Sequence, residues 1–310
     1  MKRQTKWEDA IEEFMYDCQL RALSKKTLKG YRNNPRRFFQ IMDIQYVEDV
    51  ARTDVKKYVM QLTEQGRKET YINGILKTLR VFFQYLEEEA IVPDNPMKGV
   101  KNQKSPQPMI RTLTEREAKR MQAVFSERTY LDIRNKTMII MLLDTGIRNI
   151  EICGLKMDDI RPDGSIYIFG KGKKERYVPV TPAVGKALKR YLRARDRRIE
   201  ERPHHSGPWL FMSQKGKQLT TETIENVVRK CGQKAKVRES IRCSPHTLRH
   251  FYAQSQLMNG MDIFTLSRLL GHARLDVTRI YLNSLEQEHI IERGKQISPL
   301  LSIAKKKLDD

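Results

Sequence analysis

Several side chains in the C-terminal half of this sequence could together cleave a phosphodiester bond. The stretch LLGHARLDVTRIY contains His272 and ends at Tyr281. Upstream of it, SPHTLRH supplies His246, Arg249 and His250, whose spacing places them on one face of a helix. A tyrosine hydroxyl can attack phosphorus, arginines can stabilise the non-bridging oxygens, and lysine or histidine can move protons. This chemistry needs no metal.

Two further candidates precede that region. Arg148 follows the Thr-Gly that ends DIRNKTMIIMLLDTG, a predicted buried helix, and Glu151 is spaced to buttress it. Lys171 lies in GKGKK, the turn of a β-hairpin predicted in GSIYIFGKGKKERYVPV. Lys173 and Lys174 occupy the same turn, so the turn alone does not decide which lysine reaches a cleft.

Each candidate also has a plain structural explanation. Arg148 could cap a helix and Lys171 could be a solvated turn residue. His250 could be a histidine satisfied by packing, and Tyr281 could fill a core. The occurrence of all these groups together, in this order, is harder to explain by coincidence than the occurrence of any one of them. The sequence has no HExxH, no metal-type carboxylate cluster and no P-loop, so we expect neither metal nor cofactor.

The charge of the chain favours a polyanionic partner. The 59 Lys and Arg residues exceed the 38 Asp and Glu residues by 21. Residues 1–110 carry 20 basic and 15 acidic side chains, and residues 111–310 carry 39 and 23. The excess is therefore spread along the chain, as expected if both halves touch DNA, although a highly soluble basic protein would also show it.

No stretch is long and apolar enough for a membrane span, and the N-terminus lacks the apolar segment of a secretion signal. The four cysteines form no CxxC pair, so a zinc ribbon and a disulfide framework are not expected. We expect a cytoplasmic protein with reduced thiols and no membrane partner.

Hydrophobic periodicity divides the chain into two domains. Residues 1–90 read as four helices, with Ser24 as an N-cap, a kink or break at Pro35 and a stop at Gly66. Residues 91–111 contain four prolines and no periodicity, which is typical of a linker. A mostly helical domain, capped at Thr114, follows over residues 112–295 and contains the hairpin. Residues 296–310 form a C-terminal tail.

With these motifs in view, the sequence resembles the tyrosine recombinases, or phage integrases, and especially their simple Xer-like members. LSKKTLKGYRNNPRRFF and YINGILKTLRVFFQYL are similar to the core-binding domain of that family. TGIRNIEICGL, GKGKKERYVPV, SPHTLRHFYA and LLGHARLDVTRIY are similar to its four catalytic boxes.

The resemblance implies a fold and a reaction. The fold would be mainly α with a small β-hairpin, in a two-domain C-shaped DNA clamp of a helical SAM-like core-binding domain and a catalytic domain. Tyr281 would be the nucleophile that joins a 3′-phosphate, Arg148 and Arg249 the phosphate clamp, and Lys171 the general acid for the 5′-hydroxyl. His246 and His272 would complete the pocket, one in proton transfer and one in phosphate contact.

The partners implied are double-stranded DNA with specific core sites and further copies of the protein in a tetramer that exchanges strands through a Holliday junction. Accessory DNA-bending proteins are a further possible partner. The apolar tail residues Leu300, Leu301 and Ile303 are expected to dock on a neighbouring protomer.

Three features differ from the family pattern. Asn149-Ile150 stands between the arginine and the glutamate, and YLN replaces Tyr-Thr-His. Because only about ninety residues precede the linker, we expect no arm-binding domain of the kind found in larger phage integrases. These departures favour integration or excision of a mobile element over dimer resolution. A type IB topoisomerase uses the same groups, and a catalytically idle DNA-binding regulator could share the fold.

Overall fold

The computed structural model describes residues 4–106, 110–170, 174–282, 291 and 294–295. The chain forms two compact units, Met1–Gln107 and Pro108–Asp310, and the division falls inside the proline-rich segment 91–111. Lys171, Lys173 and the tail residues 296–310 lie outside the described residues, so the predictions made for them stay predictions.

The N-terminal unit is built from four helices. They are α1 (Trp7–Leu20), α2 (Lys25–Met42), α3 (Arg52–Glu64) and α4 (Glu69–Glu88). Aromatic side chains fill the core between them: Phe14 meets Phe82, and Phe38 meets Phe83, edge to face. Ser24 caps α2, as predicted, because its hydroxyl accepts a hydrogen bond from the backbone N–H of Thr27.

Of the two alternatives predicted at Pro35, a kink or a break, the break does not occur. Helix α2 continues from Lys25 to Met42 with Pro35 inside it. Pro35 is buried, and α2 packs against both α1 and α4. Tertiary packing therefore holds the helix together where the missing N–H of proline alone would interrupt it.

The C-terminal unit surrounds a second, larger core. Its helices are α5 (Glu115–Ala123), α6 (Tyr130–Thr145), α7 (Asn149–Gly154), α8 (Pro182–Glu201), α9 (Thr221–Lys234), α10 (Pro245–Met258), α11 (Ile263–Leu270) and α12 (Asp276–Leu282). Thr114 caps α5 as predicted: its hydroxyl accepts from the N–H of Glu117, whose carboxylate accepts from the N–H of Thr114. Helix α6 packs against α8 and α10 at the centre of the unit.

One two-stranded sheet occurs among the described residues. Strands β1 (Ser165–Gly170) and β2 (Lys174–Pro179) pair antiparallel, with Ile168 opposite Arg176 and Gly170 opposite Lys174. The prediction of a mainly helical protein with a small hairpin is therefore confirmed.

A third, small hydrophobic cluster lies beside the larger core of the C-terminal unit. It consists of residues from α10, α11 and α12: Tyr252, Ala253, Leu257, Leu266, Leu270 and Tyr281. The predicted nucleophile thus belongs to a cluster of its own, and the residues described next surround it.

Within the described ranges, no helix is long and apolar enough to cross a membrane. The same residues contain no group of three or more His, Cys, Asp or Glu side chains placed to hold a metal ion.

Candidate active site

Arg148 lies at the junction between α6 and α7. Helix α6 ends at Gly146, whose φ of +59° lies in the left-handed region that favours glycine. A Cβ at Gly146 would also lie 2.4 Å from the ring of Tyr252. This turn delivers Arg148 to the N-cap of α7, where its backbone N–H donates to the carboxylate of Glu151 over 2.8 Å.

Glu151 holds two guanidinium groups. Arg148 donates to Oε1 of Glu151 over 2.9 Å and to the carbonyl of Gly271 over 2.9 Å. Arg176 donates to both carboxylate oxygens, over 2.8 and 2.7 Å, and to the carbonyl of Leu269. Burial raises the pKa of Glu151, but Arg176 and then Arg148 outweigh it and lower the pKa to about 2. The ionised carboxylate therefore orients both arginines at neutral pH.

Arg249, on α10, is 4% exposed and bridges two chain segments. One terminal nitrogen donates to the carbonyl of Gly146 over 2.5 Å. The other donates to the carbonyl of Leu270 over 2.7 Å and lies 2.9 Å from Nε2 of His272. Burial, followed by the charge of Arg148, lowers the pKa of Arg249 to about 10. The side chain therefore stays cationic at neutral pH, and its charge is close enough to that of Arg148 for the two to influence each other.

His272 follows α11 and has both ring nitrogens engaged. A guanidinium can only donate, so Nε2 accepts the hydrogen bond from Arg249 and the ring hydrogen sits on Nδ1. From there it donates to Oγ1 of Thr278, 2.8 Å away on α12. Burial, then the charges of Arg249 and Arg148, lower the pKa of His272 to about 4. His272 is therefore neutral at pH 7 and fixed in one tautomer.

Tyr281, on α12, is 2% exposed. Its hydroxyl lies 3.1 Å from Nδ1 of His250 on α10. Burial raises the pKa of Tyr281, and the charges of Arg249 and Arg148 act against that rise. The phenol is protonated at neutral pH and must lose its proton in order to attack.

His246 lies one helical turn before His250 and shares its face of α10. The ring centroids of the two histidines are 6.2 Å apart, and His246 is exposed. Partial loss of solvent, then the charges of Arg249 and Arg148, lower the pKa of His246. It is thus the solvent-accessible histidine of the group.

A cleft of about 710 Å³ opens beside these groups. Arg148, Arg176 and His272 line it, and so does Gly170, the last residue of β1. Lys171 is the next residue in the chain but lies outside the described residues. Of the six predicted site residues, the structure places Arg148, Arg249, His272 and Tyr281 around one set of contacts, with His246 on the neighbouring helical surface.

Sequence reasoning missed two members of this arrangement, Arg176 and Thr278, and gave a third, His250, no role. Arg176 and Val178 share the inward face of β2. An arginine on a buried face is a signal in the sequence that a buried carboxylate pairs with it, and here that carboxylate is Glu151. The sequence names His250 as a candidate that packing alone could explain, and in the structure its Nδ1 lies 3.1 Å from the hydroxyl of Tyr281. Thr278 carries no signal in the sequence, because its role depends on the tautomer of His272.

Comparison with known proteins identifies both parts of the chain. The model of the phage integrase family matches residues 111–288. The model of the phage integrase N-terminal SAM-like domain matches residues 11–90.

Among individual relatives, tyrosine recombinase XerC of Thermodesulfovibrio yellowstonii is 33% identical and covers 89% of this chain and 91% of its own. Tyrosine recombinase XerA of Pyrococcus horikoshii is 29% identical, and the match covers 94% of this chain and 96% of that protein.

Solved structures share the fold at lower identity. XerH recombinase bound to its difH substrate, in a post-cleavage complex, superposes with a TM-score of 0.74 at 21% identity, covering 93% of this chain and 83% of that one. A lambda integrase tetramer bound to a Holliday junction has a TM-score of 0.70 at 16% identity, and the match covers 90% of this chain and 78% of that one.

Proposed function

The chain belongs to the phage integrase family, the tyrosine recombinases, and on that premise we propose that it recombines DNA at specific sites with Tyr281 as its nucleophile. The observation that carries this proposal is the placement of a buried tyrosine hydroxyl beside two cationic guanidiniums and two histidines. The two relatives described above, at 33% and 29% identity, are tyrosine recombinases and lend no support to the topoisomerase alternative.

The two arginines supply electrostatic stabilisation. In the transition state, negative charge grows on the non-bridging oxygens of the phosphate that Tyr281 attacks. Arg148 and Arg249 are held by backbone carbonyls and by Glu151, so they are oriented before DNA arrives. Preorganised cations of this kind need no rearrangement during the reaction.

The reaction forms one bond and breaks one. The hydroxyl of Tyr281 gives its proton to a base, and its oxygen bonds to phosphorus as the bond from phosphorus to the 5′-oxygen breaks. The leaving 5′-oxygen takes a proton from a general acid, the role that the family resemblance gives to Lys171. The phosphotyrosine ester conserves the energy of the broken bond, so a second 5′-hydroxyl can reseal the strand without ATP or metal.

The two units would bind duplex DNA together, and strand exchange would take place in a tetramer through a Holliday junction. A lambda integrase tetramer on a Holliday junction, which shares the fold, supports this arrangement. The C-shaped clamp, a docking C-terminal tail and accessory DNA-bending proteins remain predictions. Because its substrate is DNA, we expect the enzyme to act in the cytoplasm.

A covalent adduct tests the proposal. The DNA site is first enriched from random duplexes, and a nicked suicide duplex carrying that site is then incubated with protein. Wild type should leave protein on the 3′ side of the break, whereas Tyr281→Phe should bind the duplex and leave none. An adduct that persists in the phenylalanine variant would rule out Tyr281. A wild type that binds and never forms an adduct would identify the idle regulator instead.

A further inference from the structure

A second concave surface of the C-terminal unit is strongly basic. It is a groove of about 770 Å³ between α8 and the N-terminal end of α6, with the loop that precedes α6. Seven of its lining side chains are Lys or Arg and two are Glu, which leaves an excess of five positive charges. Arg128 lies in the loop, and the other cations of this basic groove lie on α8: Lys186, Lys189, Arg190, Arg193, Arg197 and Arg198. No step of the proposed reaction uses them.

The basic groove and the active-site cleft lie at opposite ends of α6. Thr181, at the N-cap of α8, bonds to Asp144 near the end of α6. Further along α8, the hydroxyl of Tyr191 lies 3.3 Å from that of Tyr130, which begins α6 and lines the groove. The two helices therefore run antiparallel, and the length of α6, roughly 22 Å, separates the groove from Gly146. The described residues that line the groove and the cleft do not overlap.

Two arginines of the basic groove are already held in place. Arg190 pairs with Glu127, whose side chain is 20% exposed. The guanidinium of Arg198 lies 4.9 Å from the ring centroid of Tyr130 and donates to the carbonyl of Gln214 over 2.9 Å. Side chains that are fixed beforehand lose less conformational entropy when they bind a phosphate.

A stripe of exposed cations continues along α8. Its members are Lys186, Lys189, Arg193 and Arg197. They are three or four residues apart, so they share one face of the helix. The stripe is roughly 16 Å long, and a DNA strand carries a phosphate about every 3.4 Å, so it can run beside about five phosphates. In the described part of the chain, Lys189, Arg193 and Arg197 form no ion pair, so no carboxylate neutralises their charge.

We propose that the basic groove is a second DNA-binding site, which holds the phosphate backbone of duplex DNA outside the segment bound at the active site. The inference goes beyond the proposed function, which requires only the duplex that is cut. Five of the seven cations are arginines, whose parallel N–H donors suit phosphate oxygens. A duplex held at the active site also raises the local concentration of its own flanks, which favours a second contact.

Protection of lysines from acetylation tests the site. Protein saturated with DNA is treated with an amine-acetylating reagent, and mass spectrometry measures the modification of each lysine. One duplex is the shortest that still binds specifically, and the other extends it by about 20 base pairs, roughly two helical turns, on each side. The extended duplex should slow acetylation of Lys186 and Lys189 several-fold, and the short duplex should not. Lys119, exposed on α5, should react equally with both.

A combined variant, Lys189→Gln with Arg193→Gln and Arg197→Gln, provides a second readout. Glutamine favours helix, so α8 should persist, and thermal unfolding checks this. Affinity for the extended duplex should fall about tenfold or more, and its log–log slope against salt should become shallower by about 2–3, because each lost phosphate contact removes about 0.9. Affinity and slope for the short duplex should not change.

A charge-matched control carries Arg116→Gln, Lys119→Gln and Lys234→Gln. These three cations are exposed in the same unit and do not line the basic groove. The control should bind both duplexes as wild type does. An equal loss of affinity for the extended duplex in the two combined variants would mean that only the total charge of the unit matters, and would overturn the proposal.

The protection experiment can also overturn it. Protection of Lys186 and Lys189 by the short duplex would place the groove in the interface with the cut segment. Protection by neither duplex, or a combined variant with the wild-type slope, would leave the groove as a solvated face or a surface for an acidic protein. Neither readout involves cleavage, so a wild type that forms no adduct at Tyr281 would defeat the proposed function alone.

Discussion

Glu151 is the residue on which both Arg148 and Arg176 depend for their orientation. Its side chain is 2% exposed and pairs with Arg176, which is 8% exposed, and with Arg148, which is 31% exposed. Removing one partner of a buried ion pair leaves the other charge uncompensated. A neutral isostere at this position therefore probes the whole network.

Glu151→Gln should lower the free energy of unfolding by about 3 kcal/mol at pH 7. Because folding lowers the pKa of Glu151 from 4.5 to about 2, its stabilisation is complete above about pH 4.5 and is lost as the pH falls towards 2. The stability difference between wild type and variant should shrink over the same interval. Denaturant titrations at pH 7 and at pH 3 to 5 measure both effects.

Glu239→Gln is the matched control, since Glu239 is exposed in the same unit. It should change the unfolding free energy by less than about 0.5 kcal/mol. Equal losses in the two variants would mean that the Glu151 network contributes nothing beyond ordinary surface charge.

At the scale of elements, the turn between α6 and α7 is the part of the site that tolerates the fewest residue types. Gly146 combines a left-handed φ with a ring that leaves no room for a Cβ. Its carbonyl also accepts the hydrogen bond from Arg249. The end of one helix therefore fixes both the position of Arg148 and a partner of Arg249.

Gly146→Ala should destabilise the C-terminal unit by about 2–4 kcal/mol, because backbone strain and overpacking against Tyr252 add together. Adduct formation should fall with it. Gly154→Ala is the control: nothing lies within 4 Å of a Cβ there, and we expect a change within about 0.5 kcal/mol. Thermal unfolding of the two variants separates the outcomes, and a silent Gly146→Ala would contradict the packing described above.

Local signals made part of this architecture predictable. Ser24 and Thr114 cap the N-termini of their helices, and Gly146 ends its helix in a left-handed conformation. These contacts are local, so the residue types alone predict where the helices begin and end. The continuous helix through Pro35 and the bond from His250 to Tyr281 depend on segments distant in the chain. Propensity and spacing carry no information about such contacts, which is why a break at Pro35 stayed among the expectations and the bond from His250 to Tyr281 was missed.

At the scale of the whole molecule, positive charge is the dominant property. Residues 1–110 and residues 111–310 each carry more basic than acidic side chains, so neither unit depends on the other for its attraction to DNA. Binding that neutralises phosphates releases condensed counterions, and affinity then falls as salt is added.

The affinity for a site-bearing duplex should fall with a slope of about −5 or steeper on a log–log plot against salt concentration, which corresponds to at least about six phosphate contacts. Fluorescence anisotropy across a range of salt concentrations measures the slope. A much shallower slope would mean that only one unit touches the phosphates.

The small cluster that holds Tyr281 sets a limit on how the enzyme fails. In the part of the chain that the structure describes it comprises six buried residues, whereas the main core of the same unit spans α5 to α10 and both strands. Regions with few buried apolar contacts open at a lower free energy than the main core, so this corner of the unit can open locally while the rest stays folded. Such opening would separate Tyr281 from His250, and Thr278 from His272. Warming would therefore inactivate the enzyme before it melts, and its working temperature would be governed by its smallest core.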